Sequence, residues 1–90
     1  MGEVADRMAA KLRAALTPAA LEVVDDSDRH HGHAGAREGG ESHFTVTIVS
    51  AAFSGMSRVE RQRAVNAALA EELAGPVHAL SIRARAPGEN

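Results

Sequence analysis

The sequence of 90 residues lacks cysteine, tryptophan and tyrosine, and it contains only two phenylalanines. Without cysteine, the chain cannot form a disulfide, use a thiolate nucleophile or bind a metal through its own sulfur. Its 10 Lys and Arg against 12 Asp and Glu give a formal net charge of −2. A dedicated nucleic-acid-binding protein normally has a basic excess and aromatic side chains that stack on bases. The composition therefore disfavours such a protein, although it allows a local basic patch.

Long hydrophobic segments are also lacking. The main apolar run, around residues 46–53, contains Ser and is far too short to cross a bilayer. The first six residues, Met-Gly-Glu-Val-Ala-Asp, lack the basic and apolar regions of a signal peptide. We therefore expect a cytoplasmic protein that does not act at a membrane.

Two helices are predicted. The first covers residues 3–16, and its apolar side chains recur at helical spacing: Val4, Met8, Leu12 and either Ala15 or Leu16. It should end at Thr17-Pro18, because a proline disfavours helical geometry in the preceding residue. The second runs from Ser57 to about Ala74, and it begins with a capping-box pattern completed by Glu60.

Three strands are predicted, at Ala20–Asp25, Ser42–Ser50 and Val77–Ala84. The middle strand alternates most clearly, with apolar residues on one side at Phe44, Val46 and Ile48. In the third strand, parity places His78 on the same face as Leu80 and Ile82. This position predicts a histidine at the rim of the sheet.

The element order is helix, strand, long loop, strand, helix, strand. The first two strands should pair antiparallel, while the intervening helix favours a parallel, right-handed connection between the last two. We therefore predict an α/β (α+β) fold with a mixed three-stranded sheet and helices on one face. Residues 1–86 should form a single domain, and residues 87–90 a flexible tail.

The loop at residues 26–41 is rich in glycine and histidine and has no large apolar side chain. Loops longer than about 12–15 residues are uncommon in compact domains and are usually functional or disordered. Three of the chain's five histidines lie in it, at His30, His31 and His33, while His43 begins the second predicted strand. Imidazole is a common metal ligand. The spacing His30-x-x-His33 supplies only two of the four ligands of a structural zinc site, so a solvated polar loop remains an alternative.

Arginines form a second candidate site. Arg58, Arg61 and Arg63 lie in the first turns of the second helix, and Arg83 and Arg85 end the last strand. Such side chains could contact phosphates, although a solvated helix face is the commoner outcome, and Glu60, Glu71 and Glu72 should reduce the local field. The sequence has no nucleophile elbow, phosphate-binding loop or convincing acid pair, so we expect no enzyme activity.

Several motifs together resemble the BolA family. They are Leu21-Glu22-Val23-Val24-Asp25-Asp26-Ser27, His30, Gly39-Gly40-Glu41-Ser42-His43-Phe44, Ile48-Val49-Ser50, Phe53-Ser54-Gly55, Arg61-Gln62-Arg63-Ala64-Val65-Asn66, Leu69-Ala70-Glu71-Glu72-Leu73 and Val77-His78-Ala79-Leu80. The resemblance covers nearly the whole chain, and it implies a fold similar to the class II KH-like domain.

The resemblance also implies a partnership with a monothiol glutaredoxin, in which the two proteins share a [2Fe–2S] cluster. The glutaredoxin cysteine and glutathione would bind one side, and this chain would bind the other but hold no cluster alone. By position, the implied ligands are His78 and a loop histidine, for which His30 and His33 both fit and His31 fits less well. The role would be iron–sulfur cluster trafficking or iron and redox signalling, by a free protein that is a monomer or weak homodimer.

The alternative function that the resemblance implies is DNA binding by a transcriptional regulator of stress response and cell morphology. Its contact surface would be residues 53–65, with Arg58, Arg61 and Arg63. Gln62 departs from the histidine that is frequent at this position in the family. An RNA-binding KH-like domain is disfavoured, because no Gly-x-x-Gly loop with basic residues is present.

Overall fold

A computed structural model describes residues 2–26 and 42–89. In chain order the elements are α1 (Glu3–Leu16), β1 (Ala20–Asp25), β2 (His43–Val49), a 3₁₀ turn (Ala51–Phe53), α2 (Arg58–Ala68), α3 (Ala70–Ala74) and β3 (Ala79–Arg85). The sheet order is β1-β2-β3, with β1 antiparallel and β3 parallel to β2. The predicted mixed sheet and both of its pairings are confirmed, and the arrangement is compatible with a KH-like fold.

The hydrophobic core lies between one face of the sheet and the helices. Buried and half-buried residues alternate strictly along β2, with Phe44, Val46 and Ile48 buried on one face. The helices contribute further buried residues to the same cluster: Met8, Leu12, Val65 and Leu69. The helices therefore cover one face of the sheet, as predicted. At the end of α1, Leu16 is the residue that packs against the core, whereas Ala15 is exposed.

The second predicted helix and the third predicted strand differ from the structure. The helix is interrupted at Leu69, which has φ −107° and ψ 21° and separates α2 from α3. After α3, the backbone N–H groups of Gly75 and Val77 both donate to the carbonyl of Glu72. These bonds hold residues 75–77 against the helix end, so β3 begins two residues later than predicted. Among the described residues, no helix is long and apolar enough to cross a membrane.

A buried carboxylate connects α3 to α1. The Glu72 side chain is 1% exposed, and its Oε2 lies 2.9 Å from Arg7 Nε and 2.8 Å from Lys11 Nζ. Lys11 also contacts Glu71 Oε1 at 2.6 Å. The sequence predicts that Glu71 and Glu72 weaken the field of the α2 arginines, but in the structure their cationic partners lie on α1. Glu60 instead completes the predicted capping box with Ser57.

Replacing Glu72 should destabilise the fold. Burial acts to raise the pKa of Glu72, but hydrogen bonds from Lys11 and Arg7 outweigh it and keep that pKa below its ordinary value. Because hydrogen bonds to charged groups contribute about 1.5–3 kcal/mol, we expect Glu72→Gln to lower the free energy of unfolding by about that amount. Urea denaturation monitored by circular dichroism measures the change.

The exposed neighbour Glu71 supplies the control for this substitution. Its side chain is 86% exposed, and a surface ion pair contributes about 0–1 kcal/mol, so Glu71→Gln should change the stability little. Equal losses in the two variants would contradict a special role for the buried carboxylate.

Candidate functional site

The described residues on either side of the predicted histidine loop lie at one end of the sheet. Asp26 follows the last residue of β1, and its N–H donates to the carbonyl of His43 at 2.7 Å. The carboxylate of Asp26 accepts a second hydrogen bond from the hydroxyl of Thr45. Asp26 and His43, which flank the predicted loop, are therefore held side by side, whereas His30, His31 and His33 lie outside the described residues.

His78 lies at this same end of the sheet. Its backbone N–H donates to the carbonyl of Ser42 at 2.8 Å, and the N–H of Ala79 donates to the same oxygen at 3.2 Å. The prediction that the third strand begins at Val77 and includes His78 is wrong. Because β3 starts only at Ala79, the His78 residue precedes the ladder and is exposed.

His43 differs from His78 in its surroundings. Its ring Nδ1 lies 2.9 Å from the Ser42 hydroxyl, and the residue is half-buried. Within the part of the chain that the structure describes, no three His, Cys, Asp or Glu side chains are grouped as a metal site. We name the end of the sheet formed by Asp26, Ser42, His43 and His78 the histidine edge.

A second site is a groove between α2 and β3. It has a volume of about 590 Å³, and its lining residues are Met56, Arg58, Arg61, Gln62, Ile82, Arg83, Ala84, Arg85 and Glu89. We name it the α2–β3 groove. The structure thus brings together four of the five arginines in the predicted basic patch. Arg63 is the exception, because a spacing of five residues turns it about 140° around the helix from Arg58.

Arg61 has a structural role in the groove that the sequence did not reveal. Its Nε donates to the carbonyl of Met56 at 3.0 Å, and its Nη1 donates to the carbonyl of Ala84 at 3.3 Å. The guanidinium carbon lies 6.0 Å from the centre of the Phe53 ring, and the side chain is 14% exposed. The Arg61 side chain is therefore largely engaged within the fold, and its contact with DNA stays a prediction.

Glu89 completes the bonding of this guanidinium. Its Oε1 and Oε2 accept hydrogen bonds from Arg61 Nη1 and Nη2 at 2.5 Å and 2.8 Å. The Ala86 N–H also donates to Glu89 Oε1 at 3.0 Å, across a turn in which Gly88 has a φ of +87°. The Glu89 side chain is thus held in the groove, while the flexibility of residues 87–90 stays a prediction. No local pattern relates Arg61 to Glu89, because 28 positions separate them.

The Arg61–Glu89 pair should make stability depend on pH in acid. Hydrogen bonds from Arg61 and from the Ala86 N–H lower the pKa of Glu89 from 4.5 to about 2. A carboxyl with a lowered pKa in the folded state stabilises the fold above its unfolded pKa, and this contribution is lost as the pH falls through the folded value. We therefore expect the melting temperature to fall between about pH 4.5 and pH 2, and to fall less in Glu89→Gln. Thermal scans at several pH values measure both melting temperatures. An equal fall in melting temperature in the wild type and in Glu89→Gln would contradict a role of this pair in the pH dependence.

Comparison with known proteins identifies the family. The sequence profile of the BolA family, described as BolA-like protein, matches residues 12–89. The chain belongs to the BolA family. Human BolA-like protein 1 is 48% identical over 89 residues, which cover 99% of this chain and 62% of that protein. This BolA-family chain spans just under two thirds of the length of the mammalian relatives that it matches.

Two further comparisons concern a bacterial relative and a solved structure. The DNA-binding transcriptional regulator BolA of Escherichia coli is 47% identical over 79 residues, covering 88% of this chain and 71% of that protein. The BolA domain of SufE1 from Arabidopsis thaliana superposes with a TM-score of 0.88 at 43% identity, covering 100% of this chain and 99% of that one. The fold of this BolA-family chain is therefore that of known BolA structures.

Proposed function

We propose that this chain is a non-enzymatic partner of a monothiol glutaredoxin, with which it shares a [2Fe–2S] cluster in iron–sulfur trafficking or iron and redox signalling. His78 and either His30 or His33 are the proposed ligands. The observation that carries the proposal is that Asp26 and Ser42, the described residues that flank positions 27–41, both lie at the histidine edge with the exposed His78. The cytoplasm, where thiols stay reduced, is the proposed compartment.

The residues at the histidine edge fit a shared cluster better than one held by this chain alone. A [2Fe–2S] cluster takes four protein ligands, usually thiolates, and histidines can replace two of them on one iron. This chain has no cysteine, so the thiolates must come from the partner and from glutathione. When bound, the cluster would supply electron storage and iron, while His78 and the loop would orient the partner.

The test is a titration of this protein into a [2Fe–2S]-loaded monothiol glutaredoxin with glutathione, followed by visible absorption and circular dichroism. Imidazole ligation changes the electronic surroundings of the iron, so we expect a spectral change that saturates at one equivalent. Apoglutaredoxin titrated in parallel separates cluster sharing from simple protein binding. An unchanged spectrum at excess protein would refute the shared cluster.

DNA binding is the second candidate function, and the α2–β3 groove is the observation that favours it. Four guanidinium groups line the groove against the single carboxylate of Glu89. Arginines contact phosphate oxygens readily, often through two parallel hydrogen bonds. The Escherichia coli relative named as a DNA-binding regulator adds support.

The two exposed arginines of α2 test whether DNA lies in this groove. Arg58 lines the groove and Arg63 does not, although both residues are exposed on α2. Because each phosphate contact contributes about one unit to the salt dependence, Arg58→Ala should weaken DNA binding and reduce the salt slope by about one. Arg63→Ala should leave both quantities nearly unchanged. Both variants are measured by fluorescence anisotropy titrations. If they weaken DNA binding equally, DNA contacts the exposed face of α2 rather than the α2–β3 groove.

A further inference from the structure

The α2–β3 groove already contains an anion, which is the chain's own carboxylate. Glu89 takes two hydrogen bonds from the Arg61 guanidinium and one from the Ala86 N–H. A guanidinium and a backbone N–H that converge on two oxygens are also the donors that bind a phosphate group. Glu89 therefore occupies a site whose chemistry suits an external phosphate.

The guanidinium of Arg61 is held in place by more than Glu89. The carbonyls of Met56 and Ala84 accept from its Nε and Nη1, and its cationic carbon lies near the Phe53 ring. These contacts leave Nη2 with Glu89 as its only hydrogen-bond partner in the part of the chain that the structure describes. Removal of the Glu89 carboxylate would thus expose a positioned guanidinium.

Glu89 can leave the groove without disturbing the hydrophobic core. Its side chain is 40% exposed, and it closes a short turn from Ala86. None of the residues 87–89 belongs to the hydrophobic core. The other groove arginines, Arg58, Arg83 and Arg85, form no ion pair within residues 2–26 and 42–89, so they remain available to an incoming anion.

We propose that Glu89 is a tethered competitor for the anion site at Arg61, and that the phosphodiester backbone of DNA displaces it from the α2–β3 groove. The inference rests on the second proposed function and adds its regulation. The free protein holds the site closed, and a DNA phosphate replaces the carboxylate on the same guanidinium. Affinity for DNA is consequently lower than the four arginines alone would provide.

The experiment compares DNA binding by the wild-type protein, Glu89→Gln and Glu3→Gln. A short mixed-sequence DNA duplex is titrated by fluorescence anisotropy at several salt concentrations. Glu3→Gln is the matched control, because it makes the same change of charge at an exposed position of α1 that does not line the groove. Glu89→Gln is expected to bind about 5- to 10-fold more tightly, with a similar salt slope, because a phosphate contacts Arg61 in both proteins. The control should differ from wild type by less than about twofold.

The outcomes separate the inference from the function on which it rests. Equal binding by Glu89→Gln and Glu3→Gln would overturn the competitor role while leaving DNA binding intact. Failure of all three proteins to bind at low salt would overturn DNA binding itself, and the inference with it.

A second measurement uses the wild-type protein and so does not depend on how a variant folds. The ¹³Cδ resonance of the Glu89 carboxylate is followed by NMR as the same duplex is added. Displacement from Arg61 should shift this resonance in proportion to the DNA bound. A resonance that stays unchanged at saturating DNA would overturn the inference.

Discussion

A His78→Ala variant is expected to lose the spectral change of the mixed glutaredoxin complex entirely while keeping its fold. The side chain is exposed, so its truncation removes no core packing, and the hydrogen bond to Ser42 uses the backbone N–H, which alanine retains. Loss of one of two imidazole ligands from this side of the cluster would leave its iron one protein ligand short. The measurement is the visible circular dichroism titration, with far-ultraviolet spectra to verify the fold.

The loop histidines provide matched controls for His78. Single variants His30→Ala, His31→Ala and His33→Ala truncate the same type of side chain within four positions of one another. We expect either His30→Ala or His33→Ala to lose the spectral change, and His31→Ala to retain it. A full spectral change in His78→Ala would show that the ligand assignment is wrong.

Phe53→Ala is expected to destabilise the domain by about 3–5 kcal/mol, the usual cost of removing a buried aromatic ring. Phe53 is fully buried, and it belongs to the same hydrophobic cluster as the helices and β2. Its ring also lies beside the Arg61 guanidinium, so the cavity would open beneath the α2–β3 groove. Since small domains are stable by only about 5–15 kcal/mol, urea denaturation should show a large part of the stability lost.

Phe53→Leu is the control for this loss. Leucine keeps most of the buried apolar volume but removes the aromatic ring, so the loss should be less than half of that in Phe53→Ala. A loss below about 1 kcal/mol in Phe53→Ala would mean that the surrounding residues collapse into the cavity.

Local sequence signals predicted the elements whose ends are set by neighbouring residues. The bounds of α1 and β1 agree with the prediction, because Thr17-Pro18 ends the helix and polar residues follow the strand. The pairing of both strands with β2 also follows from the element order and the handedness of strand connections. The same reasoning placed His78 near the start of the last strand, although it did not predict its exposure.

Tertiary contacts explain what the sequence did not predict. The late start of β3 depends on hydrogen bonds to the Glu72 carbonyl, and the ion pair between Arg7 and Glu72 joins residues 65 positions apart. The Arg61–Glu89 pair likewise depends on the path of β3 along α2. No periodicity or capping pattern encodes such contacts, because they form only when distant elements pack together.

The pairing of β2 with two distant segments has a consequence for folding kinetics. The nearest paired residues of β1 and β2, Asp25 and Phe44, are separated in the sequence by residues 26–43, and β3 reaches β2 only after α2 and α3. No tight hairpin is therefore available to nucleate the sheet, and loop closure must precede every strand contact. Helical turns form in about a microsecond or less, so α1 and α2 should form transiently long before the sheet assembles. The rate-limiting event is then the arrival of the central strand between its two neighbours, and a shorter loop between β1 and β2 should accelerate it.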